Sequence, residues 1–174
     1  MIARLLPADA AEYRALMLDA YAQHPEAFTS SHAERAALPL AWWQARLAAQ
    51  TNAAEIVLGA RRDGVIAGVA GVAFERREKA RHKATLFGMY VPPAHRQHGL
   101  GRALVTAAIA QAEARDGVLV MQLTVSENND DAQRLYAACG FVPFGVEPFA
   151  VAVGEDFVSK VHMWRRLAPA RTSA

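Results

Sequence analysis

The sequence has few of the features that mark secreted, membrane or nucleic-acid-binding proteins. Cys139 is its only cysteine, which excludes a disulfide framework and a cysteine-based metal site, and we assign no metal. No apolar run approaches the roughly 18 residues that a bilayer span needs. The formal net charge of +2 gives no electrostatic reason to expect nucleic acid or a membrane as a partner. Asp9 and Glu12 follow a short apolar run at the N-terminus, which does not suit a signal peptide. We therefore expect a protein of the reducing cytoplasm.

The composition is that of one ordinary globular domain. The chain has 174 residues, of which 53% are hydrophobic and 21% charged, and this length can bury a sizeable core. We expect a single domain over residues 1–167 and a disordered tail over 168–174.

Apolar periodicity and turn residues predict the element order β-α-α-β-β-β-α-β-α-β-β. Asp63-Gly64 joins two strand-like runs into a hairpin, and the segment 24–39 between the first two helices is expected to be irregular. A right-handed parallel crossover is expected to link the strand at 84–91, through a helix at 101–117, to a buried strand at 118–125. The hairpins on either side imply antiparallel pairing, so the sheet should be mixed and the fold class α/β or α+β.

A glycine-containing loop, "HRQHGLGRAL" at residues 95–104, stands where the strand hands over to the helix. A helix N-terminus presents unpaired N–H groups and partial positive charge, so an anion such as phosphate fits there. Gly99 and Gly101 remove Cβ atoms that would block its approach, and Arg96, His98 and Arg102 add positive charge. A tight turn without a ligand is the alternative.

Two well-known phosphate loops do not match this segment. A Walker A loop needs a lysine and a hydroxyl residue directly after its last glycine, which are absent. A dinucleotide fingerprint needs a third glycine where Leu104 stands, and an acidic residue ending the next strand, which here ends in Thr124 and Val125.

The loop resembles the acyl-CoA-binding motif R-x-x-G-x-G of the GNAT superfamily of N-acetyltransferases. Its residues here are Arg96, Gln97, His98, Gly99, Leu100 and Gly101. A later block is similar to that family's N-x-x-A-x-x-L-Y-x-x-x-G-F, in which we place Asn128, Ala132, Leu135, Tyr136, Gly140 and Phe141. The two blocks follow the family's order, and the predicted elements match its fold along nearly the whole chain.

The resemblance implies a mixed central sheet of about seven strands flanked by about four helices, with one parallel strand pair splayed apart. It also implies acetyl-CoA as cosubstrate and acetyl transfer to an amine. The backbone amides of Gln97 to Arg102 would hold the pyrophosphate, and the backbone of Met89, Tyr90 and Val91 would pair with the pantetheine. Gly88 suits the bulge that such a splay requires. A backbone N–H near Tyr90 would stabilise the oxyanion.

Tyr136 would protonate the departing CoA thiolate, because a phenol with a reference pKa of about 10 keeps its proton at neutral pH. Its alternative is a core tyrosine on the apolar face of the helix. Asn128 is either a pantetheine contact or an N-cap with Asp131 three residues on, and both roles are compatible. Cys139 is expected to be a packed residue, and of Trp42 and Trp43 one should face the core.

The general base is left unassigned. Many family members carry a glutamate early on the strand before the loop, where this chain has "ATL" at 84–86. Glu75, Glu78 and His82 are nearby in sequence, but a solvated turn explains them better, and a water chain can serve instead.

The acceptor amine and the use of other acyl groups stay open. An aminoglycoside, a polyamine, an amino acid analogue and a protein N-terminus are all compatible with the sequence, and so is a homodimer. A small-molecule amine is the leading hypothesis; the alternatives are a protein N-terminal acetyltransferase and a non-catalytic CoA-binding module. Acidic residues expected on the acceptor side are Glu26, Glu34, Glu147, Glu155 and Asp156.

Overall fold

One mixed sheet of seven strands organises the fold. The structure is a computed structural model and describes residues 1–96 and 99–168. The strands run in the order β1-β2-β3-β4-β5-β7-β6, with β4 and β5 parallel and the other neighbours antiparallel. Their bounds are β1 Ile2–Arg4, β2 Glu55–Arg62, β3 Val65–Phe74, β4 Lys83–Tyr90, β5 Val120–Ser126, β6 Val142–Val153 and β7 Asp156–Arg166. The predicted mixed sheet is confirmed, and Gln97, His98 and the residues 169–174 of the expected tail lie outside the described residues.

Five α-helices accompany the sheet in the described residues: α1 Ala10–Gln23, α2 His32–Ala36, α3 Leu40–Arg46, α4 Leu100–Glu113 and α5 Asp130–Ala138. The expectation of an irregular connection between the first two helices is wrong at α2. Ser31 accepts a hydrogen bond from the backbone N–H of Glu34, whose carboxylate accepts one from the backbone of Ser31. This capping box accounts for the additional helix. None of the described helices is long and apolar enough to cross a bilayer.

Two hydrophobic clusters cover the two faces of the sheet. One contains the buried face of α4 together with Tyr136 of α5, and the other contains α1, Trp43 and Leu47. Along β2 the side chains alternate between the clusters, with Ile56 in the first and Val57 in the second. Burial on both faces explains why β2 and β3 are almost continuously apolar.

The parallel strands β4 and β5 pair over three residues and then separate. Their register runs from Lys83 opposite Val120 to Thr85 opposite Gln122, and no pairing between them is recorded for the described residues beyond that point. The bulge expected at Gly88 is confirmed. Gly88 has φ +57°. Gly88 and the following residue of β4 together lie opposite a single residue of β3, Ala70. The bulge and the splay open a gap in the sheet, and this gap positions the site.

Candidate active site

A cleft of about 850 Å³ fills the gap between β4 and β5. At one end its wall is the N-terminus of α4, Gly99 to Arg102, together with the bulged end of β4. Helix α5 contributes one side. The other end, which we call the acceptor end, is lined by Tyr21 of α1, His24, residues 26–30, Arg35 of α2, Arg46 of α3 and Glu55 of β2. Described residues of both sequence blocks therefore meet at one cavity, although the blocks are separated along the chain: Arg96, Gly99, Leu100 and Gly101 of the first, and Ala132, Leu135 and Tyr136 of the second.

The two glycines of the loop have different structural roles. Gly99 is the N-cap of α4 with φ +71°, a left-handed conformation that favours glycine, and a Cβ placed there would meet no atom of the described residues within 4 Å. At Gly101 a Cβ would lie 3.3 Å from Cδ2 of Leu135 and 3.4 Å from Cε of Met89. Gly101 therefore allows α4 to approach α5 and β4 closely, while Gly99 leaves open space in front of the helix N-terminus.

Side-chain hydrogen bonds hold the end of β4 at the cleft. Nε of Arg96 donates a 2.8 Å hydrogen bond to the carbonyl of Val91, and its Nη2 lies 3.2 Å from Nε2 of His24. The hydroxyl of Tyr90 donates to Oδ2 of Asp19 at 3.1 Å. Burial and the adjacent carboxylate of Asp19 raise the pKa of Tyr90 to about 12. Since the Tyr90 side chain is occupied in this way, the strand offers its backbone to a ligand.

Tyr136 lies on α5 with 7% of its surface exposed and lines the cleft. Its ring packs edge-on against Phe141 at a centroid distance of 6.1 Å. Its hydroxyl has no hydrogen-bond partner within residues 1–96 and 99–168. Burial raises the pKa of Tyr136 well above that of a free phenol. The site thus contains a protonated donor that the described protein leaves available to a ligand.

The predicted role of Asn128 as an N-cap is wrong. Asn129 is the N-cap of α5, and its Oδ1 accepts a hydrogen bond from the backbone N–H of Ala132 at 3.1 Å. The backbone of Asn129 is non-helical directly before the first helical residue, as a cap requires. The three-residue spacing to Ala132 in the family motif likewise belongs to Asn129. Asn129 lines the cleft, whereas Asn128 is exposed in the preceding turn, and its contact with pantetheine stays a prediction.

The three residues considered as a base do not line the cleft in the described part of the chain. Glu75 accepts hydrogen bonds from the side chain of Arg77 and from the backbone of Arg76 and Arg77. These bonds lower the pKa of Glu75 to about 2, which makes it a weak base. Glu78 and His82 also lie outside the set of cleft residues. The solvated-turn interpretation of this segment is the better one.

Other carboxylates do reach the cleft: Glu26, Glu55 and Asp131. Glu55, the first residue of β2, was not among the site residues predicted from the sequence. Cross-strand pairing aligns it with Ala73 of β3 and, through that residue, with Thr85 of β4. The signal that could have identified it was a charged residue opening an otherwise apolar strand.

The charged residues at the acceptor end differ from those expected from the sequence. Glu34, Glu147, Glu155 and Asp156 are not among the cleft residues, but Arg35 and Arg46 are. As expected, one tryptophan faces the core: Trp43 is 1% exposed, while Trp42 is half-buried beside the two arginines. Cys139 is buried and free, in agreement with a packed residue.

A buried lysine hydrogen-bonds to the loop that contains Glu26 and Ala27 at the acceptor end. Lys160 of β7 is 4% exposed, and its Nζ donates to the carbonyls of Glu26 and Ala27 at 3.1 Å each and to Oγ of Ser126 at 2.9 Å. The hydroxyl of Ser126 donates in turn to the carbonyl of Glu26 at 2.6 Å. Burial lowers the pKa of Lys160, which the nearby Glu26 and Glu147 partly offset. Lys160 could not be predicted from the sequence, because its partners are far away in the chain.

Comparison with known proteins matches this geometry to one family. The profile of the acetyltransferase (GNAT) family matches residues 14–141. An acetyltransferase of the GNAT family from Streptococcus pneumoniae has a TM-score of 0.86 and 29% identity, over 97% of this chain and 99% of that one. The protein yncA from Salmonella typhimurium, solved with its cofactor acetyl-CoA, has a TM-score of 0.79 and 25% identity, over 100% of this chain and 97% of that one.

A curated relative matches over a shorter stretch. The [ribosomal protein bS18]-alanine N-acetyltransferase of Haemophilus ducreyi is 39% identical over 70 residues, 40% of this chain and 48% of that protein. The chain therefore spans about half the length of this relative.

Proposed function

Because the chain belongs to the acetyltransferase (GNAT) family and is an acetyl-CoA-dependent N-acetyltransferase, we propose that it acetylates a primary amine of a small molecule by direct attack. The observation that carries the proposal is the hydroxyl of Tyr136, which lines the cleft without a protein partner among the described residues. A buried, protonated phenol facing a ligand cavity is suited to donate a proton.

The residues present fit acetyl-CoA. The N-terminus of α4 behind Gly99 is open to a pyrophosphate, and Arg96 and Arg102 stand beside it at the cleft. The backbone from Met89 to Val91 lines the splayed gap, where an extended arm can pair with it. Bound there, acetyl-CoA supplies an activated acetyl group.

We assign the steps to the chain's own groups as follows. A backbone N–H at the bulge near Tyr90 donates to the thioester oxygen and stabilises the charge that develops there. The amine nitrogen forms a bond to the acetyl carbon while the carbon–sulfur bond breaks. Tyr136 then gives its proton to the departing thiolate, and the proton lost by the amine restores the phenol through solvent. Direct transfer needs no acyl-enzyme, and buried Cys139 takes no part.

The test is release of free CoA thiol from acetyl-CoA across a panel of small amines, with product identified by mass spectrometry. The proposal expects amine-dependent thiol release and a product heavier by one acetyl group. Tight acetyl-CoA binding without thiol release for any amine would refute it and favour a non-catalytic CoA-binding module.

A protein N-terminus is the second candidate acceptor. The local similarity to the ribosomal-protein alanine N-acetyltransferase favours it, although that similarity covers only 40% of this chain. Peptides with N-terminal alanine distinguish the two candidates. Acetylation of such peptides with no activity on small amines would replace the leading proposal with this one.

A further inference from the structure

Two arginines stand at the acceptor end of the cleft, where the proposed reaction brings in a cationic amine. Arg35 of α2 and Arg46 of α3 both line the cavity. Their guanidinium carbons lie 4.7 Å and 5.2 Å from the centroid of the Trp42 ring. That of Arg46 also lies 4.6 Å from the centroid of Phe87, the residue before the bulge. Positive charge at this place is unexpected for a site that accepts amines alone.

Protein contacts satisfy these two guanidinium groups only in part. Nη2 of Arg35 donates to Oγ of Ser30 at 2.8 Å. Nη2 of Arg46 lies 3.5 Å from a carboxylate oxygen of Glu55, whose side chain is 41% exposed, and Arg46 also contacts the phenol of Tyr13. In residues 1–96 and 99–168, Nε of each arginine is buried without a hydrogen-bond partner. These buried Nε atoms are closed to a ligand, but a guanidinium has five N–H donors, and the contacts with Ser30, Glu55 and Tyr13 leave donors on the terminal nitrogens of both arginines unused within the described residues.

Stacking on aromatic rings explains how these arginines can still donate hydrogen bonds to a ligand. A guanidinium that lies on a ring face directs its N–H groups along its own plane, away from the ring. The planar fork of donors matches the two oxygens of a carboxylate. Trp42 and Phe87 thus hold the cations in place without using all of their donors.

We infer that the acceptor is a small amine that also carries a carboxylate or an isosteric acid group, bound by Arg35 and Arg46. This rests on the proposed function, since it names the class of amine used by the same site. Glu26 and Glu55 line the same end and can face the amine. An acceptor with only positive groups, such as a polyamine, would place an ammonium beside two guanidinium groups with no acid group to compensate. An amino acid or a close analogue has the matching charges.

The experiment compares matched amines that differ in the acid group. L-amino acids, their amides and their decarboxylated amines, for instance leucine, leucinamide and isoamylamine, are assayed by thiol release with saturating acetyl-CoA. Removing one charge-assisted contact typically weakens binding about 10- to 100-fold, so we expect the preferred acid to have a KM lower by that factor than its amide. Arg35→Gln and Arg46→Gln should each reduce this preference and leave the KM for acetyl-CoA unchanged.

Two further variants distinguish the effect of the planar guanidinium donors from that of positive charge alone and from a general effect of substituting an arginine. Arg46→Lys keeps the charge but loses the fork, so it should recover the acid preference only in part. Arg62→Gln removes an exposed arginine outside the cleft and should leave the preference intact. Thermal unfolding of each variant checks the fold, and Arg35→Gln carries the test if Arg46→Gln unfolds.

Failure of the inference differs from failure of the proposed function. If amides and simple amines turn over as well as the acids, or if the preference survives Arg35→Gln and Arg46→Gln, the inference is wrong while the enzyme remains a small-amine acetyltransferase. If no compound releases thiol, the proposed function fails. Calorimetric titration of the same acids and amides into CoA-saturated protein then decides the inference, and equal binding or none overturns it.

Discussion

Replacement of Tyr136 by phenylalanine tests the assigned acid most directly. The ring and its edge-on contact with Phe141 are kept, and the deleted hydroxyl has no hydrogen-bond partner in the described residues. The change therefore removes no protein hydrogen bond, and the free energy of unfolding should change by less than about 1 kcal/mol. Any large loss of activity can then be attributed to chemistry.

The expected loss follows from the position of the residue. Tyr136 is 7% exposed, so bulk water is a poor substitute for its proton. General acid catalysis contributes about 10²–10⁴-fold, so kcat should fall by that factor, which corresponds to about 3–5 kcal/mol in the barrier. Binding of acetyl-CoA, measured by calorimetry, should change little. Because product release can limit turnover, single-turnover acetyl transfer is the rate to compare.

The leaving group provides an independent check. An acetyl thioester of a more acidic thiol needs less help from an acid, so Tyr136→Phe should lose less activity with that substrate than with acetyl-CoA. Tyr136→Leu, which also lacks the hydroxyl, should show a similar loss in single-turnover rate together with a loss of stability. An unchanged single-turnover rate in Tyr136→Phe would refute the reasoning and leave Tyr136 as a core residue.

Three further predictions concern the loop, the base and the buried lysine. Gly101→Glu should abolish thermal stabilisation by acetyl-CoA. Gly101→Ala, whose Cβ meets Leu135 at 3.3 Å, should weaken this stabilisation only partly. Normal stabilisation of the glutamate variant by acetyl-CoA would contradict the assignment of the loop. Glu75→Gln, Glu78→Gln and His82→Asn should each cost less than about tenfold in kcat/KM, and one larger loss would identify the missing base. Lys160→Met removes the hydrogen bonds from Nζ to Oγ of Ser126 and to the carbonyls of Glu26 and Ala27, of which the Glu26 carbonyl keeps only its bond from Ser126. It should therefore destabilise the fold by about 1–3 kcal/mol and raise the acceptor KM more than that of acetyl-CoA. Because burial lowers the pKa of Lys160, the unfolded chain binds the proton of this lysine more tightly than the folded protein does. The free energy of unfolding of the wild type should therefore rise with pH between the folded pKa and the unfolded value of about 10.4. Urea titrations that show the same rise in Lys160→Met would contradict this.

The parts of the fold that local rules govern were predictable from the sequence. Asp63 and Gly64 have φ +48° and +83°, as a primed hairpin turn requires. Gly88 marked the bulge because only a residue without Cβ adopts its conformation easily inside an apolar strand. The short helix α2 was missed although Ser31 and Glu34 carried the signature of its capping box. In each case the information lies within a few residues.

The acceptor end could not be predicted in the same way, because long-range packing assembles it. Lys160 reaches carbonyls more than a hundred residues earlier in the chain. Arg46 follows Trp42 by four residues on α3, a helical spacing that can be read from the sequence, whereas Arg35 reaches the same ring from α2, which no spacing predicts. A sequence pattern reports which residues share a helix face, but not which loop carbonyl or aromatic ring comes to lie beside them. The position of Asn129, by contrast, follows from counting three residues back from Ala132.

β4 has no carboxylate that could take the proton from the amine. The charges at the acceptor end therefore bear on how the amine loses this proton. A neighbouring cation lowers the pKa of a bound ammonium, and a neighbouring carboxylate raises it. Arg46 and Glu55 therefore act in opposite directions on an amine bound near the bulge. Since Glu55→Gln leaves Arg46 uncompensated, the apparent pKa in the pH dependence of kcat should fall, whereas Arg46→Gln should raise it.

In both variants the apparent pKa should still follow the solution pKa when amines of different basicity are compared, because the titrating group is the substrate. An apparent pKa fixed near 6–7 for all amines, the range in which histidine titrates, would mean that an enzyme group takes the proton. Shifts of the same sign in the two variants would mean that neither residue acts on the amine through its charge. The acceptor end would then recognise its substrate by shape, and the cationic pair beside Trp42 would serve packing alone.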